Sequence, residues 1–165
     1  MIRLATPSDL PGLHTVIERA YRGEAARAGW THEGDLLEGA RTDLATLEAI
    51  LADPDARLLM ALDGDSPVGC VQVTNRGDRL CYLGLLCVEP QLQTGGVGKR
   101  LLQAAEDLAR DIFEATSMEM TVIDSRVELI AYYERRGFVR TGERRPFPVE
   151  VDPPLGMVVL EKALA

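Results

Sequence analysis

An α/β fold, one sheet with helices on both faces, is what the order of elements along this chain predicts. Segments with apolar residues three and four apart alternate with short apolar runs in the order β-α-α-β-β-β-α-β-α-β-β. In the middle of the chain three apolar runs, RLLMALDG, PVGCVQVTN and RLCYLGLLCV, are separated by Gly-Asp and Gly-Asp-Arg turns, the signature of an antiparallel meander. No repeat, low-complexity stretch or linker interrupts the 165 residues, so residues 1–165 are expected to form one domain with a sizeable core.

Each element has its own warrant. Ile2 to Ala5 reads as a short first strand, and Thr6-Pro7-Ser8-Asp9 supplies turn and cap residues. Leu10, Leu13, Ile17 and Tyr21 then carry a helix to about Tyr21. From Arg22 to Ala40 glycines interrupt any period. A second helix spans Asp43 to Ala52, with Leu44, Leu47 and Leu51 on one face, and Asp53-Pro54-Asp55 ends it. The three meander strands follow, and Pro90 closes the third. The next helix is expected to bury Val97, Leu101, Leu102, Ala105, Leu108 and Ile112. SMEMTVID alternates as a strand, and VELIAYYERRGF reads as a short helix ended by Gly137, which suits a left-handed cap. FVRTG is a short strand, ERRPFPVEVDPP a proline-rich loop, and GMVVLEKAL the last strand.

Composition narrows the function. The chain is 46% apolar and 27% charged, ordinary for a soluble globular protein, with a formal net charge of −8. A nucleic-acid role would need a strong local basic patch, and Arg135-Arg136, Arg140 and Arg144-Arg145 read as a solvated loop face instead. No apolar run approaches the ~20 residues of a membrane span, and MIRLATPSDL lacks the apolar core of a signal peptide. A cytoplasmic location is expected, with no membrane or nucleic-acid partner. Cys70, Cys81 and Cys87 lack CxxC spacing and sit in apolar runs, so buried thiols are expected. With only His14 and His32 as histidines, no metal site is expected.

The most informative stretch is Gln93-Thr94-Gly95-Gly96-Val97-Gly98-Lys99-Arg100, a glycine-rich turn opening a helix. Unpaired amides and the helix dipole make such a turn a ready anion site. It does not match a P-loop. Counting back from Gly98-Lys99 puts Gln93 where the first glycine belongs, and Arg100 stands where Ser or Thr would hold magnesium. A dinucleotide fingerprint starting at Gly96 fails at Leu101, where its third glycine should be, and three antiparallel strands precede it.

A third pattern fits. Val88-x-Pro90 followed by Gln93-x-x-Gly96-x-Gly98 resembles the acetyl-CoA motif of the GNAT N-acetyltransferase superfamily, as in a small bacterial-type member. Downstream, Tyr133-Glu134-x-x-Gly137-Phe138 resembles that family's later Y-E-x-x-G-F element, with Arg126 and Leu129 standing where Asn and Ala are common. The resemblance implies a central mixed, mostly antiparallel sheet of six to seven strands with about four helices on its two faces. It implies acetyl-CoA as cosubstrate, and transfer of the acetyl group to a primary amine of a small molecule or peptide by direct attack.

The same resemblance implies roles for residues. Gln93, Thr94, Gly95, Gly96, Gly98, Lys99 and Arg100 would hold the pyrophosphate, glycine allowing close approach of the backbone. Leu86, Cys87 and Val88 would offer backbone groups to the pantetheine arm in a slot between the fourth and fifth strands. Tyr133 would be the general acid that protonates the leaving thiolate, a phenol with pKa ~10 being a workable donor to a thiolate of pKa ~8.5. Tyr132, ~100° round the helix, cannot face the sulfur as well.

For the base, Glu33, Asp35, Glu119 and Asp124 stand level. Trp30, Glu33 and Arg41 are the candidate acceptor-side residues, with Arg144-Arg145-Pro146-Phe147-Pro148 as the opposite wall. Arginines on both sides make a carboxylate-bearing acceptor one expectation, beside a small free amine or a protein N-terminus. A homodimer, common in the superfamily, is compatible with the chain. The alternatives are an acyl-CoA-binding sensor domain of the same fold that does not catalyse, and a nucleotide-binding protein with a degenerate P-loop.

Overall fold

The computed structural model describes residues 1–27, 42–92, 95–147 and 154–164. Its elements come in the expected order: β1 (Ile2–Leu4), α1 (Leu10–Arg27), α2 (Leu44–Ala52), β2 (Ala56–Asp63), β3 (Ser66–Gly77), β4 (Leu80–Val88), α3 (Val97–Phe113), β5 (Ser117–Ile123), α4 (Val127–Arg135), β6 (Val139–Pro146) and β7 (Gly156–Ala163). The seven strands form one sheet in the order β1-β2-β3-β4-β5-β7-β6. Only β4 and β5 run parallel; every other neighbouring pair is antiparallel.

Strand alternation sends side chains to two cores. On one face Leu58, Met60, Cys70 and Cys87 pack beneath α1 and α2 through Leu10, Leu13, Ile17 and Leu47. On the other, Val71, Val73, Leu83, Met118, Met120 and Leu160 pack against α3 and α4 through Leu101, Leu102, Ala105 and Ile130. The three cysteines are buried and in no disulfide, as their apolar settings predict, and burial pushes the Cys81 thiol pKa up.

Asp9 ties β1 to the start of α1. Its carboxylate accepts from Arg3 Nη1 (2.8 Å) and Nη2 (3.0 Å) and from the Thr6 amide (2.8 Å). The Arg3 bonds, then the Thr6 amide, hold the Asp9 carboxyl well below its usual range. A depressed folded-state pKa contributes stability that is complete above the unfolded value of ~4 and is lost as pH falls below it. Asp9→Asn is therefore expected to lower the urea midpoint at pH 7, with the gap to the native chain narrowing at pH 3.

Three features differ from the sequence reading. Helix α1 continues past Tyr21 to Arg27, because Gly23 lowers helix propensity without forbidding a helix. In α3 the buried stripe is Val97, Leu101, Leu102, Ala105, Glu106 and Ala109, while Ile112 is 56% exposed. The stripe follows the i, i+4 line from Val97 to Ala109. Ile112 lies off that line in the last turn, where Glu114 takes a left-handed cap and the chain turns into β5. Buried Glu106 is held by Lys162 of β7 at 2.8 Å. Finally, Glu143 to Pro146, read as loop, belong to β6. This edge strand is exposed on almost its whole length, so no alternation marks it, and its pairing with β7 shifts between Arg140 and Arg144 around Gly142 (φ 88°). The charges of Arg140, Glu143 and Arg144 along the edge oppose pairing with a further strand.

Candidate active site

The glycine turn sits at the end of β4. Pro90–Leu92 form one 3₁₀ turn, and the Gly95 amide donates to Leu92 O (3.1 Å). Gly96 is the N-cap of α3 with φ 80°, a left-handed conformation that side chains with a Cβ rarely adopt. The helical ladder begins with Arg100 N donating to Gly96 O (3.1 Å). The amides of Val97, Gly98 and Lys99 precede that first bond and point out of the helix start, where the dipole is positive. A Cβ on Gly98 would fill a niche 3.6 Å from both Val88 Cγ2 and the Tyr132 hydroxyl. Lys99 and Arg100 are exposed beside it. This donor set, open at two glycines and flanked by two cations, fits a pyrophosphate. Gln93 and Thr94 lie outside the described residues.

Beside this turn the sheet opens. Strands β4 and β5 pair only at Leu80↔Ser117, Cys81↔Met118 and Tyr82↔Glu119, and part beyond them, leaving a fork. The cause lies in β4. Its register with β3 slips between Cys70↔Cys87 and Gln72↔Gly84, so Leu85 and Leu86 oppose Val71 alone, and Leu85 takes φ 51°. Such a bulge bends its strand. The Glu89 amide bonds Val68 O (2.7 Å), and a Cβ on Gly69 would meet Cys87 O at 2.6 Å, so Cys87 turns its carbonyl to β3. Strand alternation then turns the backbone groups of Leu86 and Val88 toward the fork.

Glu89, the wildcard in Val-x-Pro, is a residue that motif reading passes over. Its carboxylate is buried and accepts from Arg19 Nε (2.7 Å) and Nη2 (2.6 Å), a two-point ion pair. It fixes the last residue before the turn to α1 on the opposite face.

Helix α4 supplies the two tyrosines. Tyr133 is 7% exposed and packs edge-on against Phe138, with ring centroids 6.0 Å apart. Tyr132 lies beside it, the two rings in edge contact with centroids 5.3 Å apart. The Tyr132 hydroxyl reaches the Gly98 niche, and the Arg136 guanidinium lies 4.6 Å from its ring centre. Gly137, with φ 101°, ends the helix as its position predicts.

On the α1 face of the fork the structure revises the acceptor-side expectations. Glu119 and Asp124, two of the four base candidates, are both engaged by β6. Arg145 Nη2 lies 3.3 Å from each Glu119 oxygen, Arg145 Nε bonds Glu143 (2.7 Å), and Arg144 pairs with Asp124. The Arg145 pKa is raised by Glu143 first and Glu119 next. On the wall expected opposite Arg41, Arg144 and Arg145 therefore already hold carboxylates of their own chain. Trp30, Glu33, Asp35 and Arg41 lie outside the described residues. Among the described residues no cluster of three His, Cys, Asp or Glu side chains is placed to hold a metal ion, and no helix is long and apolar enough to cross a membrane.

A strand fork opening beside a glycine-lined helix start is a cosubstrate slot in outline, and comparison gives it a family. The model of the acetyltransferase (GNAT) family matches residues 17–138. The chain belongs to the GNAT acetyltransferase family. It is 31% identical over 119 residues to the IAA acetyltransferase of Azospirillum brasilense, a match covering 69% of this chain and 74% of that protein. The fold is shared with the ribosomal-protein-S18-alanine N-acetyltransferase of Escherichia coli, with TM-score 0.77 and 16% identity over 100% of this chain and 94% of that one. It is shared too with the PaiA N-acetyltransferase of Thermoplasma acidophilum, whose structure contains coenzyme A. There the TM-score is 0.74 and the identity 18%, covering 99% of this chain and 98% of that one. As a GNAT protein this chain is an acetyl-CoA-dependent N-acetyltransferase.

Proposed function

We propose that this GNAT enzyme binds the pyrophosphate of acetyl-CoA on the amides of Val97, Gly98 and Lys99, with Gln93, Thr94, Gly95, Gly96 and Arg100 completing the turn. The pantetheine arm lies in the fork against the backbone of Leu86 and Val88, and the acceptor is a primary amine of a small molecule or peptide. The observation that carries this reading is that β4–β5 pairing stops at Tyr82↔Glu119, so the fork is open at the end where the glycine turn stands.

Acetyl-CoA supplies the acetyl group and a thiolate leaving group. The chain's part is placement and charge. The α3 start holds the anionic end, and backbone groups of β4 orient the arm. The Tyr133 hydroxyl gives its proton to the departing sulfur. The amine must reach the thioester neutral, and it approaches from the α1 face, where Glu119 and Thr121 line β5. Because Arg144 and Arg145 are already paired, a neutral or cationic acceptor fits that side better than a carboxylate-bearing one.

Calorimetric titration with acetyl-CoA, against ATP-magnesium as control, tests the cradle. Micromolar binding of acetyl-CoA alone is expected, followed by acetylated product from an amine panel read by mass spectrometry. ATP binding with no acetyl-CoA binding would sink the reading. Acetyl-CoA binding without product from any amine would favour a sensor.

A further inference from the structure

The α1 face of the fork carries a feature that neither family motif contains. Tyr82 is the last β4 residue paired with β5, opposite Glu119. The next positions on the same face are Gly84 on β4 and Thr121 on β5, the first beyond the parting. The Tyr82 ring covers both. A Cβ on Gly84 would stand 3.3 Å from Tyr82 Cε1, so the ring lies over Gly84 and a side chain there would crowd it. The Tyr82 hydroxyl reaches across to Thr121 Oγ1 at 2.7 Å. From the outside the Arg76 guanidinium stacks on the ring, 4.8 Å from its centre. The ring is thus fixed from three sides, spanning the gap where the strands separate.

We infer that Tyr82 closes the inner end of the fork and sets the length of acyl chain that the enzyme accepts, admitting acetyl and excluding longer groups. The inference rests on the proposed placement of acetyl-CoA. With the anionic end at the α3 turn beyond Val88, the arm runs back along β4 and the acyl group lies deepest, at the level of Gly84. There the Tyr82 ring is the wall it meets. In an apolar pocket one methylene changes affinity by ~10–200-fold, so a ring across the end is enough to separate acetyl from butyryl. The pairing with Thr121 keeps the ring in place, since a tyrosine free to rotate would yield.

Calorimetric titration of the full chain with acetyl-CoA, butyryl-CoA and hexanoyl-CoA tests this without knowledge of the acceptor. The native protein is expected to bind butyryl-CoA at least ~10-fold more weakly than acetyl-CoA. Tyr82→Val, which suits a strand, and Tyr82→Ala are each expected to bring the two affinities within ~3-fold, chiefly by strengthening butyryl-CoA. Tyr82→Phe, which keeps the ring but loses its tie to Thr121, is expected to fall between the native chain and Tyr82→Ala. Equal binding of both ligands by the native chain would overturn the inference, as would an unchanged ratio in a folded Tyr82→Val or Tyr82→Ala. A native chain that binds acetyl-CoA but does not discriminate leaves the cosubstrate reading standing and removes this one alone. A native chain that binds no acyl-CoA removes both.

Discussion

Tyr133→Phe is expected to lower turnover by ~10²–10⁴ while leaving the acetyl-CoA dissociation constant within about twofold. The substitution deletes one oxygen from a ring that is 7% exposed and keeps its edge-on contact with Phe138, so the packing of α4 on the sheet is preserved. On the proposed role of Tyr133, what is lost is the proton donor. A thiolate leaving without one carries full charge into the fork, and the rate falls accordingly. Because binding and chemistry are read separately, by calorimetry and by product formation, a structural role and an acid role give different answers. Equal turnover in the variant would remove Tyr133 as the acid. Tyr132→Phe is the matched control. Its hydroxyl lies at the Gly98 niche, so its loss should appear in cosubstrate affinity before it appears in the chemical step.

Gly96→Val is expected to weaken acetyl-CoA binding by at least ~100-fold. At φ 80° a β-branched residue is strained by more than the ~1–2 kcal/mol that an ordinary side chain costs in the left-handed region. The turn would relieve that strain by rotating the amides that follow, which are those offered to the pyrophosphate. A Cβ at Gly96 meets nothing closer than Arg100 Nη1 at 3.7 Å, so crowding within the protein is not the cause. Gly96→Asn separates conformation from access. Asparagine tolerates the left-handed region, so it should bind far better than valine at the same position. Equal loss in both would place the defect in ligand approach instead of backbone geometry.

The order of elements was legible because most of them have a buried and an exposed side. Leu10, Leu13 and Ile17 repeat at helical spacing, and Gly-Asp turns punctuate the meander. Where one side is missing the pattern fails. Strand β6 is exposed on almost its whole length, so Glu143 to Pro146 look like loop, and proline strengthens that impression. The run LGLLCV is apolar at nearly every position, so nothing in it reveals the bulge at Leu85, although that bulge opens the fork. Glu89 and Tyr82 were missed for a different reason. A family pattern marks positions by what recurs, and the x of Val-x-Pro hides the Arg19–Glu89 ion pair. The available signal was chemical: a lone carboxylate at the end of an apolar strand needs a cation, and Arg19 is placed on a helix to provide one. Tyr82-x-Gly84 carried a similar hint, a bulky ring two positions from a missing side chain on the same strand face. Sequence alone also did not show that Arg144 and Arg145 face Asp124, just after β5, and Glu119 on β5.

The burial of Cys70, Cys81 and Cys87 has a practical consequence. Disulfide-exchange dyes consume thiolates they can reach. In the folded enzyme the three cysteines are shielded in the two cores, and burial further disfavours ionisation of Cys81. The coenzyme thiol released at each turnover is then the readily titratable sulfur in the cuvette, and absorbance can be followed continuously without a correction for the protein. The same shielding makes the dye a conformational probe. Colour that develops slowly without acceptor, and approaches three thiols per chain, would count molecules that have opened.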